Sequence, residues 1–199
     1  MSELRKFSYL LLLVFGMLFV TEAKAQKVAI KTNLVYDATA TINAGLEFGL
    51  AQKWTLDISG NFNAWNISDS GARWKHWAVQ PELRYWFCDR FSGHFIAMHL
   101  HGGLYNIGGI KNNISFIGTD FSRLSDQRFQ GWFAGGGIAY GYSWILGKHW
   151  NLEAEIGFGY SYTVYDRFEC AGCGKKVEEN KDHHYVGPTK AAINLVYLF

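Results

Sequence analysis

The 199-residue sequence predicts an all-β fold, an eight-stranded antiparallel up-and-down transmembrane β-barrel of the outer-membrane type. Three observations predict it. Segments with a period of two recur along the chain, their connections alternate between short and long, and aromatic residues gather at one common end of the segments. Composition limits the alternatives. With 49% hydrophobic and 17% aromatic side chains the chain is too apolar to be disordered, and a formal net charge of +2 supplies no field for nucleic acid, so no nucleic-acid partner is expected. A mean hydropathy of -0.07 excludes a bundle of apolar helical spans.

The N-terminus reads as an address. Arg5 and Lys6 precede a mostly apolar stretch from Phe7 to Val20, and Ala23-Lys24-Ala25 follows before Gln26. The apolar run is shorter than the roughly 20 residues that cross a bilayer, and it ends in a small-x-small triplet. Residues 1–25 are therefore expected to be a signal peptide cleaved between Ala25 and Gln26, which leaves residues 26–199 as one exported domain. Export from a Gram-negative cell with this pattern predicts the outer membrane. No Cys follows the apolar run to accept a lipid.

The strands follow in order. A weaker first segment covers Lys27 to Tyr36. From Thr39 to Ala51, Ile42, Ala44, Leu46, Phe48 and Leu50 alternate with Thr41, Asn43, Gly45, Glu47 and Gly49. From Trp54 to Ala64 the even positions are apolar or Gly and the odd ones polar. The same period continues through Trp77 to Phe87, Ile96 to Leu104, Trp132 to Trp144, Trp150 to Tyr162 and Ala191 to Phe199. Segments of about ten residues or more suit tilted membrane-spanning strands. Short connections at Gln52-Lys53, Asp89 to Ser92 and Gly147 to His149 fall on one side. Long ones at Ser68 to Trp74, Ile107 to Gln127 and Asp166 to Gly187 fall on the other, where only Asp37-Ala38 is tight. Trp54, Tyr85, Phe87, Tyr142, Trp144, Trp150, Tyr197 and Phe199 all lie at the short-turn level and predict a periplasmic-side aromatic girdle. A soluble barrel with the apolar rows inside would expose mainly Gly, Ala, Ser and Asn to water, which disfavours it.

On this register the barrel interior holds a polar network of Lys31, Glu47, Asp57, His76, Glu82, Arg84, His99, His101, Glu153, Glu155 and Lys190. An eight-stranded barrel is just wide enough to be filled by its own side chains, so a paired plug is expected and a narrow channel is an alternative. Inward glycines such as Gly135, Gly137, Gly141 and Gly157 leave room for bulky neighbours including Trp86, Phe95, Phe133 and Tyr165. His99 and His101 share a face with Glu82 nearby, yet no recognisable ligand set accompanies them, and no metal or cofactor is expected. The same histidines motivate a second alternative, a lipid-modifying enzyme. Catalysis is not expected, because no local signature supplies a nucleophile with its base.

Three Cys make an odd count. Cys170 and Cys173 are expected to close a local disulfide in an oxidising compartment, the alternatives being zinc binding with His183 and His184 or free thiols; Cys88 has no evident partner.

Several motifs carry a family resemblance: Lys31-Thr32-Asn33-Leu34, Trp54-Thr55-Leu56-Asp57, Lys75-His76-Trp77 through Gln80-Pro81-Glu82 to Arg84-Tyr85-Trp86-Phe87, and His99-Leu100-His101-Gly102-Gly103. Tyr140-Gly141-Tyr142, Asn151-Leu152-Glu153-Ala154, Glu169-Cys170-Ala171-Gly172-Cys173-Gly174 and Gly187-Pro188-Thr189-Lys190 complete them. With these the chain resembles, over residues 27–199, the Bacteroidetes outer-membrane proteins grouped as domain of unknown function 3575. The resemblance implies an outer-membrane barrel without assigned catalytic residues, and a surface or fimbria-type protein as partner. The residues themselves add two expected partners: outer-membrane lipid, and the barrel-assembly machinery that reads a C-terminal aromatic residue, here in Val196-Tyr197-Leu198-Phe199. The expected function is a small, monomeric, non-enzymatic barrel whose outer loops serve surface binding, adhesion or assembly of surface structures.

Overall fold

A computed structural model describes residues 28–65, 73–109, 115–116, 119–120, 122–170, 172 and 174–199. The expected signal peptide with its Ala25–Gln26 cleavage site, and Cys173, lie outside the described residues. The strands are β1 (Val28–Asn33), β2 (Ile42–Gly49), β3 (Trp54–Asn63), β4 (Arg73–Trp86), β5 (Gly93–Gly108), β6 (Ser115–Phe116), β7 (Thr119–Asp120), β8 (Arg128–Ile145), β9 (Trp150–Phe168) and β10 (Lys176–Leu198). Eight of them close one antiparallel ring in the order β1-β10-β9-β8-β5-β4-β3-β2, and β6 with β7 forms a separate small ladder. Closure pairs the first strand with the last, Ala29 opposite Leu198, so no ring strand is left with an open edge.

The period-two patterns become two faces. One register row on the outside runs Phe48, Leu56, Leu83, Met98, Ile138 and Phe158 across six neighbouring strands. These outward side chains are solvent-accessible, with Met98 71% and Ile138 69% exposed. The row inside is polar: Glu47, Asp57, Glu82 and His99 stand on four adjacent strands and are all buried. The barrel is thus charged within and apolar without. Among the described residues no helix is long and apolar enough to cross a membrane, which says nothing about strands.

Two expected boundaries need correction. The first segment does not stay extended to Tyr36; the strand ends at Asn33, and Leu34–Ala38 makes one helical turn. The Asn33 side chain accepts from the Val35 amide at 3.1 Å, and the Asp37 carboxylate accepts from the Thr32 hydroxyl at 2.9 Å and from Asn43 Nδ2 at 2.7 Å. Local capping outcompetes the ladder there. The stretch from Asp166 to Gly187 is largely strand rather than loop, since Tyr165 pairs with Lys181 and Thr163 with His183. Past the apolar belt Lys181, Asp182 and His184 are exposed. With polar residues on both faces the alternation fades while the backbone ladder continues. The connection of residues 109–127 contains the β6–β7 ladder and a 3-10 turn at Ser122–Ser125.

At the short-turn end, the predicted girdle residues touch one another both along a strand and across neighbouring strands. Ring centroids are 5.0 Å apart for Trp54 and Tyr85, 6.1 Å for Tyr85 and Phe87, and 4.8 Å for Tyr142 and Trp144. Trp150 and Tyr197 stand at 5.0 Å, and Tyr197 and Phe199 at 5.1 Å. The far end of the outer face carries a second row, Phe62, Trp77, Leu104 and Trp132, on neighbouring strands.

Candidate functional site in the barrel lumen

The lumen has a floor, a charged middle and an open upper part. Trp86, Phe95 and Phe91 make the floor at the short-turn end, with Trp86 and Phe95 fully buried and their ring centroids 4.7 Å apart. Phe91 sits in the β4–β5 turn at φ 63°, a left-handed conformation that is costly for a bulky residue. Its carbonyl is held by Asn151 Nδ2 at 2.6 Å and the Ser143 hydroxyl at 3.3 Å. Gly141 makes the space for Phe95, because a Cβ there would stand 2.3 Å from Phe95 Cζ.

Arg84 is the hub of the middle layer. Its Nε donates to Glu82 at 2.5 Å, Nη1 to Glu47 at 3.0 Å and to Glu153 at 2.9 Å, and Nη2 to Glu155 at 2.8 Å. The guanidinium also lies 4.5 Å from the centroid of the Phe95 ring. Lys31 pairs with Glu47, with Asp57 at 2.5 Å and with Glu153 at 3.5 Å; Lys190 pairs with Glu82 at 2.6 Å and Glu155 at 3.1 Å. Five carboxylates thus face three cations in one contiguous network. Asp57 enters by ion-pair contact alone, since neither of its oxygens has a hydrogen-bond partner among the described residues.

The sequence reading missed the neutral members of this layer. Thr55 donates to Glu47 and accepts from Trp86 Nε1 at 2.9 Å, while Asn194 Nδ2 donates to Glu153 at 2.9 Å. Both sit on inward positions of the same period, and that parity was the available signal.

The histidines separate. His99 is buried beside the plug, with Nε2 2.9 Å from the Thr189 hydroxyl and Nδ1 3.9 Å from Glu82. A Cβ on Gly137 or Gly157 would come within 3.0 Å or 2.9 Å of its ring. His101 stacks at a tilt on His99, 5.7 Å between centroids, and His76 lies higher, against Trp74 at 5.8 Å. Neither joins the ion network in an observed contact. Among the described residues no group of three His, Cys, Asp or Glu is placed to hold a metal ion.

Above the plug the lumen opens into a cavity of about 480 Å³. At the rim the β9–β10 hairpin is laced by ion pairs: Arg167 to Glu178 at 3.0 Å, Lys176 to Asp166 at 3.0 Å and Lys175 to Glu169 at 2.9 Å. The Asn180 amide donates to Asp166 at 2.9 Å, and this bond together with Lys176 holds the Asp166 carboxyl below the usual aspartate value. Cys170 at the hairpin tip is disulfide-bonded, and Cys88 is a free, exposed thiol in the β4–β5 turn.

No curated protein matches the sequence. The model of a protein family of unknown function, DUF3575, matches residues 9–199, which takes in every strand of the ring and the whole plug. The chain is a member of the DUF3575 family.

Proposed function

We propose that this chain spans the outer membrane of a Gram-negative cell as a monomeric barrel, is stoppered by its own side chains, and acts through the surface at its long-strand end in binding, adhesion or assembly of surface structures. The observation that carries the reading is the two-faced ring. A continuous outward belt of exposed Ile, Leu, Met, Phe and Trp surrounds a buried ion network, and water is the wrong solvent for such a belt. Aromatic rows near both ends of the belt fit the two headgroup levels of a bilayer. Outer-membrane lipid is then the first partner, and the barrel-assembly machinery acts during insertion. The exposed hairpin that carries the disulfide-bonded Cys170 is the surface offered to a fimbria-type or other surface protein. With Arg84 and Trp86 filling the bore, transport is not the task.

Heat-modified gel mobility of the membrane fraction tests the reading. A folded barrel is expected to run differently unboiled and boiled, and maleimide is expected to label Cys170 and Cys173 on intact cells only after reduction. Trimming the hairpin so that residue 165 is joined by a tight turn to residue 181 is expected to keep the mobility shift and to abolish attachment of expressing cells to their surface target. A protein recovered in the soluble fraction without a shift overturns the membrane reading, and unchanged attachment after trimming overturns the role of the hairpin.

A further inference from the structure

The upper cavity has a chemistry that neither the plug nor the hairpin explains. Its walls come from β3, β4, β5, β8, β9 and β10, and the lumen is the one space those six strands share. One inward register row crosses it: Asn63, His76, Tyr105, Gly131 and Tyr165 stand side by side. Gly131 lets β9 approach closely, since a Cβ there would stand 2.1 Å from the Val164 carbonyl oxygen. Lys75 and Asp166, the charged residues at its edge, occupy outward positions of the alternation. Their opposite charges leave the lining with no net charge, Lys181 beside Tyr165 in the same row is exposed, and the acid-rich plug beneath repels anions.

The polar and apolar groups are interleaved. Tyr105 lies 6.2 Å from the inward Phe133 ring and donates to or accepts from Thr163 at 2.8 Å, and Tyr165 packs on Phe129 at 5.4 Å. The facing ring pairs are inclined at 47° and 59°, so they do not form the parallel walls that clasp a flat heteroaromatic ring. His76 Nδ1 is buried without a hydrogen-bond partner among the described residues, and so are Asn61 Oδ1 and His101 Nδ1 on inward positions below it. Of these only His76 lines the cavity, and a purely apolar occupant would leave its imidazole without a partner, at a cost that a hydroxyl-rich one avoids. A sugar ring supplies both halves: an apolar C–H face for the aromatic walls and a dense set of neutral donors and acceptors for the amide, imidazole and phenol groups.

The geometry points to the outer half of the lumen as a binding vestibule for a neutral pyranoside. The site rests on the lumen alone and is independent of what surrounds the outer face. The test uses the full barrel refolded in amine-oxide micelles, which carry no sugar headgroup. Saturation-transfer NMR is recorded with the methyl β-glycosides of glucose, galactose, mannose and N-acetylglucosamine, and with methyl glucuronoside and benzyl alcohol as charged and apolar comparators. At least one neutral glycoside is expected to bind, more tightly than either comparator. Tyr105→Ala and Tyr165→Ala are expected to weaken it tenfold or more, whereas Tyr160→Ala on the outer face leaves it unchanged. Should either truncation lose the heat-modified mobility shift, Tyr165→Phe decides, with a severalfold loss expected from the missing hydroxyl. Absence of transfer from all four neutral glycosides, tighter binding of a comparator, or equal affinity in the Tyr165 variants overturns the proposal. None of these outcomes bears on whether the barrel sits in a membrane.

Discussion

Arg84 shows how much one buried side chain can hold. Its three nitrogens reach four carboxylates on three strands, β2, β4 and β9, and its own β4 neighbour Glu82 is among them. Removing it leaves five buried carboxylates against Lys31 and Lys190. Arg84→Met, which keeps much of the volume, is expected to cost about 3–5 kcal/mol in urea unfolding from lipid vesicles, because breaking a buried pair strands the remaining charges. Adding Glu153→Gln and Glu155→Gln is expected to recover part of that loss. Gly141 gives a steric counterpart. Gly141→Val drives a side chain into the Phe95 ring, 2.3 Å from the Cβ position, and to 2.8 Å from the Ala154 carbonyl, and is expected to destabilise by about 1–3 kcal/mol, relieved in part by Phe95→Leu in a double-mutant cycle. An unrelieved double variant would place the strain elsewhere.

Among the elements, the β9–β10 hairpin behaves differently from the ring below it. Its outer part lacks an apolar face and is held by the backbone ladder, exposed ion pairs and the Asp166–Asn180 bond. The Asp166 carboxyl titrates lower in the folded hairpin than unfolded, so its contribution is present above the unfolded value and is lost as pH falls through the folded one. The Asn180 amide resonance is expected to titrate with a midpoint below 3.8, and Asp166→Asn is expected to remove the transition. A midpoint at or above that value would show that the bond does not form. This hairpin was hidden in the sequence for the same reason that it is polar: period-two alternation marks a strand only where its faces meet different surroundings. In β3, where Leu56 and Ile58 face out and Thr55 and Asp57 face in, the strand is legible residue by residue.

For the whole molecule, the solvent of the outer face decides the biology. Ile138 sits in the middle of the belt, opposite Met98 and Phe158, and is 69% exposed. Ile138→Lys is expected to cost about 2–4 kcal/mol for folding into lipid vesicles if the belt faces acyl chains, and close to nothing if it faces water. Planar-bilayer recordings belong to the same scale, and a lumen filled from Trp86 to His99 is expected to give no steady conductance. A stable conductance would require the plug to part.

The sequence by itself determined the eight strands of the ring, their antiparallel order and, along the period-two segments, which residues share a face. All of these follow from a period of two and from connection lengths, which are local properties of the chain. It also placed Lys31, Glu47, Asp57, Glu82, Arg84, Glu153, Glu155 and Lys190 inside. Only the tertiary structure decided that Arg84 is their hub, that His99 turns to Thr189 and Glu82 while His76 and His101 stand apart, and that an aromatic cavity lies above the plug. Those outcomes depend on how far each strand slides past its neighbour and how the closed ring tilts. Pairing register joins residues such as Lys31 and Glu153 that lie 122 positions apart, and no local pattern encodes it.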